Sequence, residues 1–133
     1  MKETLKIGTV GEESFVVEKA HLTNFSQPGM PEVLSTPHLI WFLEHAARNA
    51  LLPILGPGES CVGTAVNVQH LAATPPGAKV SCRARVYSVD GKQFSFHLEA
   101  YDEHELIAKG THKRRVIEVS RLAKKVEAKK AGA

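Results

Sequence analysis

Five polar side chains stand where an otherwise apolar pattern has no need of them. Glu44 lies inside the run Pro37-His38-Leu39-Ile40-Trp41-Phe42-Leu43-Glu44-His45-Ala46-Ala47, and an ionised carboxylate taken out of water is costly unless it is paired, hydrogen-bonded or kept for chemistry. Thr36 opens that run, His70 ends the alternation Val62, Thr64, Val66, Val68, and His112 and Arg114 continue the alternation Leu106, Ala108, Gly110 towards Val116. A hydroxyl, an imidazole and a carboxylate are the parts of a nucleophile, a proton acceptor and an orienting group. An imidazole of ordinary pKa, about 6.5, can take a proton from water or a hydroxyl at neutral pH, and a carboxylate can orient it or stabilise its cation. Each residue also has an ordinary reading. Arg48 follows Glu44 at the spacing of a helix ion pair; Thr36 is a good N-cap; a histidine ending an apolar stripe is often a satisfied structural residue, and Arg114 can be a counter-ion.

These residues need elements to bring them together. In a strand, alternate side chains share a face, so unbroken parity points His70, His112 and Arg114 at the interior that also receives Glu44; a bulge would overturn the assignment. Thr36 and Glu44 are eight residues apart, hence separated by about 12 Å and rotated by roughly 80° along a straight helix. They cannot touch. If both serve one site, they bracket an extended ligand or come from different subunits, and the second arrangement is favoured.

Residues 12 to 23 read as a first strand and residues 24 to 36 as a loop holding Pro28-Gly29 and Pro31. The helix follows, with Thr36 as N-cap, Pro37 as first helical residue and Pro53 with Gly56-Pro57-Gly58 beyond its end. Apolar residues surround it, which predicts a central, largely enclosed element. Four strands are expected over 61 to 72, 79 to 89, 93 to 102 and 106 to 119, with Asp90-Gly91 as a two-residue hairpin. A short amphipathic helix carrying Val119, Leu122, Ala123 and Val126 ends the chain. One helix segregated from consecutive hairpins argues α+β. A twisted antiparallel sheet of about five strands can curl around that helix, which would be a hot-dog fold.

The 133 residues, 43% of them hydrophobic, match one domain over 1–133, with a core at about 12–118 and a basic amphipathic C-terminal helix at 119–133. No apolar run approaches the roughly 20 residues of a membrane-spanning helix, and the first residues do not resemble a signal peptide. A soluble, cytoplasmic protein is expected. Cys61 and Cys82 suit reduced thiols, Cys82 as a small buried hydrophobe in the alternation Val80, Cys82, Ala84, Val86. The net charge of +3 and pI near 9.0 reflect the basic C-terminal residues, and aromatics at 6% argue against nucleic-acid binding. The seven histidines lack metal-binding spacings, and no GxSxG, Walker or GxGxxG pattern occurs.

Together, Ser35-Thr36-Pro37 eight positions ahead of Glu44, Val62-Gly63-Thr64, the run His70-Leu71-Ala72-Ala73-Thr74-Pro75-Pro76-Gly77, and Gly110-Thr111-His112 with Arg114 resemble the fluoroacetyl-CoA thioesterase-like group of hot-dog acyl-CoA thioesterases, over about residues 12 to 118. The resemblance implies a homodimer, or a tetramer, that hydrolyses an acyl-CoA thioester with no cofactor beyond the CoA of its substrate. Thr36, Glu44 and His70 occupy the catalytic positions, Gly63 matches a glycine beside the acyl pocket, and Arg114 matches a basic residue near the substrate. The loop over the acyl pocket carries Phe25, Gln27, Met30 and Val33, with Met30 and Val33 as substrate contacts. It is less aromatic than the lid implied for the fluoroacetate-specific member, which favours a generic short acyl chain. Lys79, Arg83, Arg85, Lys113 and Arg115 are candidates for the CoA phosphates.

Two versions of the chemistry stay open: Thr36 attacks and is acylated, or water attacks with His70 or Glu44 as base. A non-catalytic hot-dog protein that binds acyl-CoA or a related ligand is the principal alternative. A hot-dog hydratase or dehydratase lacks its asparagine/aspartate-proline-histidine signature here.

Overall fold

The computed structural model describes residues 1–132 except Asn24 and Ser26, so those two positions of the expected loop lie outside the described residues. Five strands, β1 (Val10–Val16), β2 (Glu59–His70), β3 (Lys79–Asp90), β4 (Gln93–Tyr101) and β5 (Leu106–Glu118), and two helices, α1 (Thr36–Leu51) and α2 (Val119–Lys130), follow the expected order. The strands form one antiparallel sheet ordered β1-β3-β4-β5-β2, curled around α1 in the hot-dog arrangement. Alternation does the sorting. Val80, Cys82, Ala84 and Val86 of β3 and Phe94, Phe96, Leu98 and Ala100 of β4 are buried against Leu39, Leu43, Ala46, Ala47 and Ala50 of α1. Cys82 is the small buried hydrophobe its alternation predicts, and burial pushes its thiol up to about 12. The two-residue turn between β3 and β4 is Gly91-Lys92, one residue beyond the expected Asp90-Gly91, because Asp90 still pairs with Gln93; Gly91 takes a positive φ of 61° at its first position.

The helix approaches the sheet closely at β1. A side chain at Gly11 would run into the Ala46 carbonyl and the Ala50 amide, so glycine on the strand and alanines on the helix are both needed for α1 to seat. Asn49 Nδ2 fixes the approach by donating to the Glu12 carbonyl at 2.7 Å. Phe42 stacks on Phe15 at 3.7 Å between ring centroids.

Three expectations need correction. The first strand ends at Val16, because the Glu18 amide donates to His21 Nδ1 at 3.0 Å and turns Lys19–His21 into a 3-10 helix. The N-cap of α1 is Ser35, whose hydroxyl accepts from the His38 amide at 3.3 Å, which leaves the Thr36 hydroxyl free for another partner. The helix is also not enclosed all round, since Trp41 is 53% exposed and Arg48 is exposed too.

The loop between β1 and α1 is pinched at its base. The Thr23 amide donates to the Val33 carbonyl at 2.9 Å and the Ser35 amide to the His21 carbonyl at 2.8 Å, while the Leu34 amide donates to the Thr74 carbonyl at 2.9 Å. These bonds tie the start of α1 to the segment just after β2. Among the described residues, no helix is long and apolar enough to cross a membrane.

Candidate functional site

The end of β2 and the first turn of α1 bring together two of the residues singled out above. Thr36 Oγ1 and His70 Nδ1 are 2.8 Å apart. His70 pairs with Ala108 in the β2–β5 ladder and therefore faces the helix; Thr36 can reach it because Ser35 has taken over the capping. The other ring nitrogen, His70 Nε2, is shielded from solvent and, among the described residues, has no hydrogen-bond partner. Such an orphaned polar atom is costly in a folded protein unless a ligand or water meets it. Burial holds the imidazole below the ordinary histidine pKa, with the nearby Ala72 backbone opposing, which keeps the ring neutral and able to accept a proton at neutral pH. Thr36 and His70 border an open depression of about 340 Å³ whose apolar wall includes Val33, Leu34, Leu71 and Ala72. Met30, 47% exposed on the loop, is not among the residues lining that depression.

Glu44 lies elsewhere. Its Oε1 is 3.7 Å from Arg114 Nη1 and 3.8 Å from His112 Nε2. Among the described residues Arg114 is its ion-pair partner, with the His112 ring beside it, and Arg48 is not in contact with it. A side chain on β5 outcompetes the one a turn along the helix because Arg114 is 7% exposed and its charge is poorly screened. The guanidinium is held on every nitrogen: Nε donates to Cys61 Sγ at 3.4 Å, Nη2 to the Cys61 carbonyl at 3.2 Å, and Nη1 faces His112 Nε2 at 3.3 Å. The His112 ring, 1% exposed, meets the Ala65 carbonyl through Nδ1 at 2.7 Å. Desolvation lowers its pKa and the Arg114 charge lowers it further, against opposing effects of the Ala65 hydrogen bond and Glu44.

Gly63 completes this second cluster. A Cβ there would stand 2.6 Å from Glu44 Oε1 and 3.1 Å from His112 Cε1, so the position must be glycine for the carboxylate to lie where it does. The register of β2 shifts between Gly63 and Ala65, making Thr64 the extra residue of a β-bulge. The bulge corrects the parity expected from sequence. Val62 pairs with Arg115 on the outer face, whereas Gly63, Val66, Val68 and His70 pair with Arg114, His112, Gly110 and Ala108 on the inner one. His70 keeps its inward direction only because it lies beyond the shift with Val66 and Val68.

Thr36 and His70 thus meet in one chain, Gly63 and Arg114 meet Glu44, and the two groups occupy different turns of α1. His112 was singled out from the sequence without a role of its own, and Cys61 was read only as a reduced thiol. His112 had a signal, the two-residue spacing that puts it beside Arg114 on one face of β5; Cys61 had none. Arg83 and Arg85 project from the face of β3 opposite Cys82 and Ala84, away from α1, and Arg83 Nε already contacts Glu12 at 3.5 Å. Among the described residues, no group of three or more His, Cys, Asp or Glu side chains is arranged to hold a metal ion.

Residues 16–120 match the model of the family described as FlK, fluoroacetyl-CoA-specific thioesterase. The chain is 36% identical to the fluoroacetyl-CoA thioesterase of Streptantibioticus cattleyicolor, with 97% of each sequence covered. Among solved structures, it is similar to the fluoroacetyl-CoA thioesterase FlK, with a TM-score of 0.88, 34% identity and coverage of 96% of this chain and 98% of that one. It is also similar to a Thermus thermophilus protein described as a thioesterase superfamily member, with a TM-score of 0.89, 27% identity and coverage of 96% and 95%. The fold, the matched span and this identity agree: the chain belongs to the FlK family of hot-dog proteins.

Proposed function

We propose that this protein hydrolyses a short-chain acyl-CoA thioester to the free acid and CoA, at a site made of Thr36, His70 and Glu44 at a dimer interface, in the cytoplasm and with no cofactor beyond the CoA of the substrate. The observation that carries the reading is the Thr36–His70 hydrogen bond beside an open apolar depression. A neutral imidazole accepting from a hydroxyl is the arrangement that raises the nucleophilicity of that hydroxyl, or of a water in its place, towards a thioester carbonyl. His70 takes the proton as the new C–O bond forms and returns it to the departing CoA thiolate as the C–S bond breaks; where Thr36 is the attacking group, a water then attacks the acyl-threonine ester in the same way, its proton passing through His70 to Thr36 Oγ1 as the free acid leaves. Pro37 has no amide hydrogen and the His38 amide is engaged by Ser35, so few donors at the start of α1 are free to polarise the carbonyl.

The separation of the two clusters within one chain supports the dimer. β2 is an edge strand of the sheet, with Val66 45% exposed near its middle, and an unpaired edge invites pairing with a second copy. A two-fold axis through the middle of β2 would lay the Gly63 end of one strand beside the His70 end of the other, carrying Glu44 of one subunit towards Thr36 and His70 of its partner. The exposed Trp41 on the open side of α1 suits burial in the same contact. The solved relatives include complexes of FlK variants with fluoroacetate and CoA and with acetyl-CoA, which supports a short acyl group here. Val33 and Leu34 wall the depression, while Met30, outside it in the single chain, would contact substrate from the covering loop, with Gly63 and Arg114 on the Glu44 side.

The test is thiol release from a panel of acyl-CoA esters of increasing length, for the wild type and for Thr36→Ala. Turnover of the shortest esters that collapses in the variant is the expected result. Tight binding of acyl-CoA by the wild type without turnover of any ester would identify a ligand-binding protein instead.

A further inference from the structure

We infer that His112 is a positioning residue of the hydrolytic site: its Nε2 accepts from Arg114 Nη1 and so holds the guanidinium where it directs the Glu44 carboxylate over Gly63. The inference rests on the reading of Glu44 as part of that site.

The hydrogen-bond network fixes which nitrogen carries the proton. The Ala65 carbonyl can only accept, so His112 Nδ1 donates to it at 2.7 Å. A guanidinium can only donate, so the lone pair of Nε2 faces Arg114 Nη1 at 3.3 Å. A ring protonated on both nitrogens would set two donors face to face, and burial of the ring opposes that charge as well. His112 is thus a neutral two-ended clamp. One end grips the segment of β2 just past the Thr64 bulge, and the other grips Arg114.

The remaining guanidinium nitrogens belong to Cys61, which leaves Nη1 as the corner that meets both His112 and Glu44. Glu44 itself has 34% of its side chain exposed and, among the described residues, no hydrogen bond to it falls within normal limits; its contacts with Arg114 and His112 are 3.7 and 3.8 Å. A carboxylate steered by charge at that range is directed only as well as the guanidinium opposite it. Without the Nε2 acceptor, Nη1 is free to swing towards Oε1 and close the carboxylate off, and a displacement on the scale of an ångström is enough to cost a reaction about 10²-fold.

Two substitutions separate the two ends of the clamp. The amide of glutamine reaches to where Nε2 sits and can accept from Arg114; that of asparagine reaches only to where Nδ1 sits and can donate to the Ala65 carbonyl. With acetyl-CoA as substrate, His112→Gln is expected to keep kcat within about 3-fold of wild type. His112→Asn should lower kcat by about 10- to 100-fold with KM changed by less than about 3-fold, at comparable melting temperatures. In a Glu44→Gln background, which lowers kcat by itself, His112→Asn should add no further loss, because the two act in series. An Asn variant as fast as wild type, or a Gln variant as slow as the Asn one, overturns the positioning role while the reading of Glu44 stands. A Glu44→Gln enzyme with full kcat overturns that reading, and the inference falls with it.

Discussion

At the first turn of α1, Thr36 and His70 hold one hydrogen bond and leave a buried ring nitrogen unanswered; two turns on, every nitrogen of Arg114 and both nitrogens of His112 are engaged around Glu44. The first region is an open pair with spare capacity, bordering an apolar depression. The second is a saturated frame that presents a half-exposed carboxylate past a glycine. The contrast teaches what each part can do. Proton transfer needs a group with a free lone pair and room for a reacting atom, whereas an orienting charge needs neighbours that do not move.

The contrast breaks most directly at His70. His70→Ala removes the proton acceptor that, among the described residues, meets the Thr36 hydroxyl, and is expected to lower kcat/KM by about 10² to 10⁴ with a much smaller effect on melting temperature. A fall in melting temperature to match the fall in rate would make His70 structural. Gly63→Ala attacks the other region. Its methyl would stand 2.6 Å from Glu44 Oε1, so the carboxylate must shift, and kcat is expected to drop by about 10² with the fold retained. Full activity in this variant would mean that the placement of Glu44 is not used.

Acidification sharpens the comparison, because both regions contain an imidazole whose folded pKa is lowered by burial. With the unfolded value at about 6.5, the unfolded chain binds more protons than the folded one in the window below it. The contribution of these histidines to stability is therefore complete above about 6.5 and is lost as pH falls through their folded values. The acid limb of kcat/KM should likewise have its midpoint below about 6.5 in the wild type. A midpoint above that value would contradict a buried, neutral His70.

Ser35→Ala gives the smallest effect. It removes the N-cap and the 2.6 Å contact of its hydroxyl with His38 Nδ1, which should cost about 1 kcal/mol in denaturant unfolding and less than about 3-fold in kcat. A larger kinetic loss would show that the cap places Thr36 as well as stabilising α1.

Much of the fold was legible because its signals are local. Alternation over Val80–Val86 and Phe94–Ala100 names the buried faces of β3 and β4 without reference to anything distant, and Gly91 marks the hairpin between them to within one residue. What was not legible depends on one-residue choices and on distant partners. Ser35 and Thr36 are both good caps, and only the presence of His70 across the chain decides which hydroxyl is left over. The Thr64 bulge leaves no mark in composition, yet it moves Val62 to the outer face. Glu44 has a ready partner at Arg48, and the preference for Arg114 comes from a strand more than sixty residues away. Trp41 looked like core because sequence hydrophobicity marks a side chain as apolar without showing whether its own chain covers it.

The central claim is that the two regions of α1 complete one site across a two-fold axis. Thr36→Ala and Glu44→Ala, each inactive alone, can be unfolded together, refolded as a statistical mixture and assayed for acetyl-CoA hydrolysis. Mixed dimers in which the intact Thr36 and the intact Glu44 face each other should restore about a quarter of wild-type activity per subunit. A mixture of demonstrated heterodimers that stays as inactive as either parent would contradict the shared site.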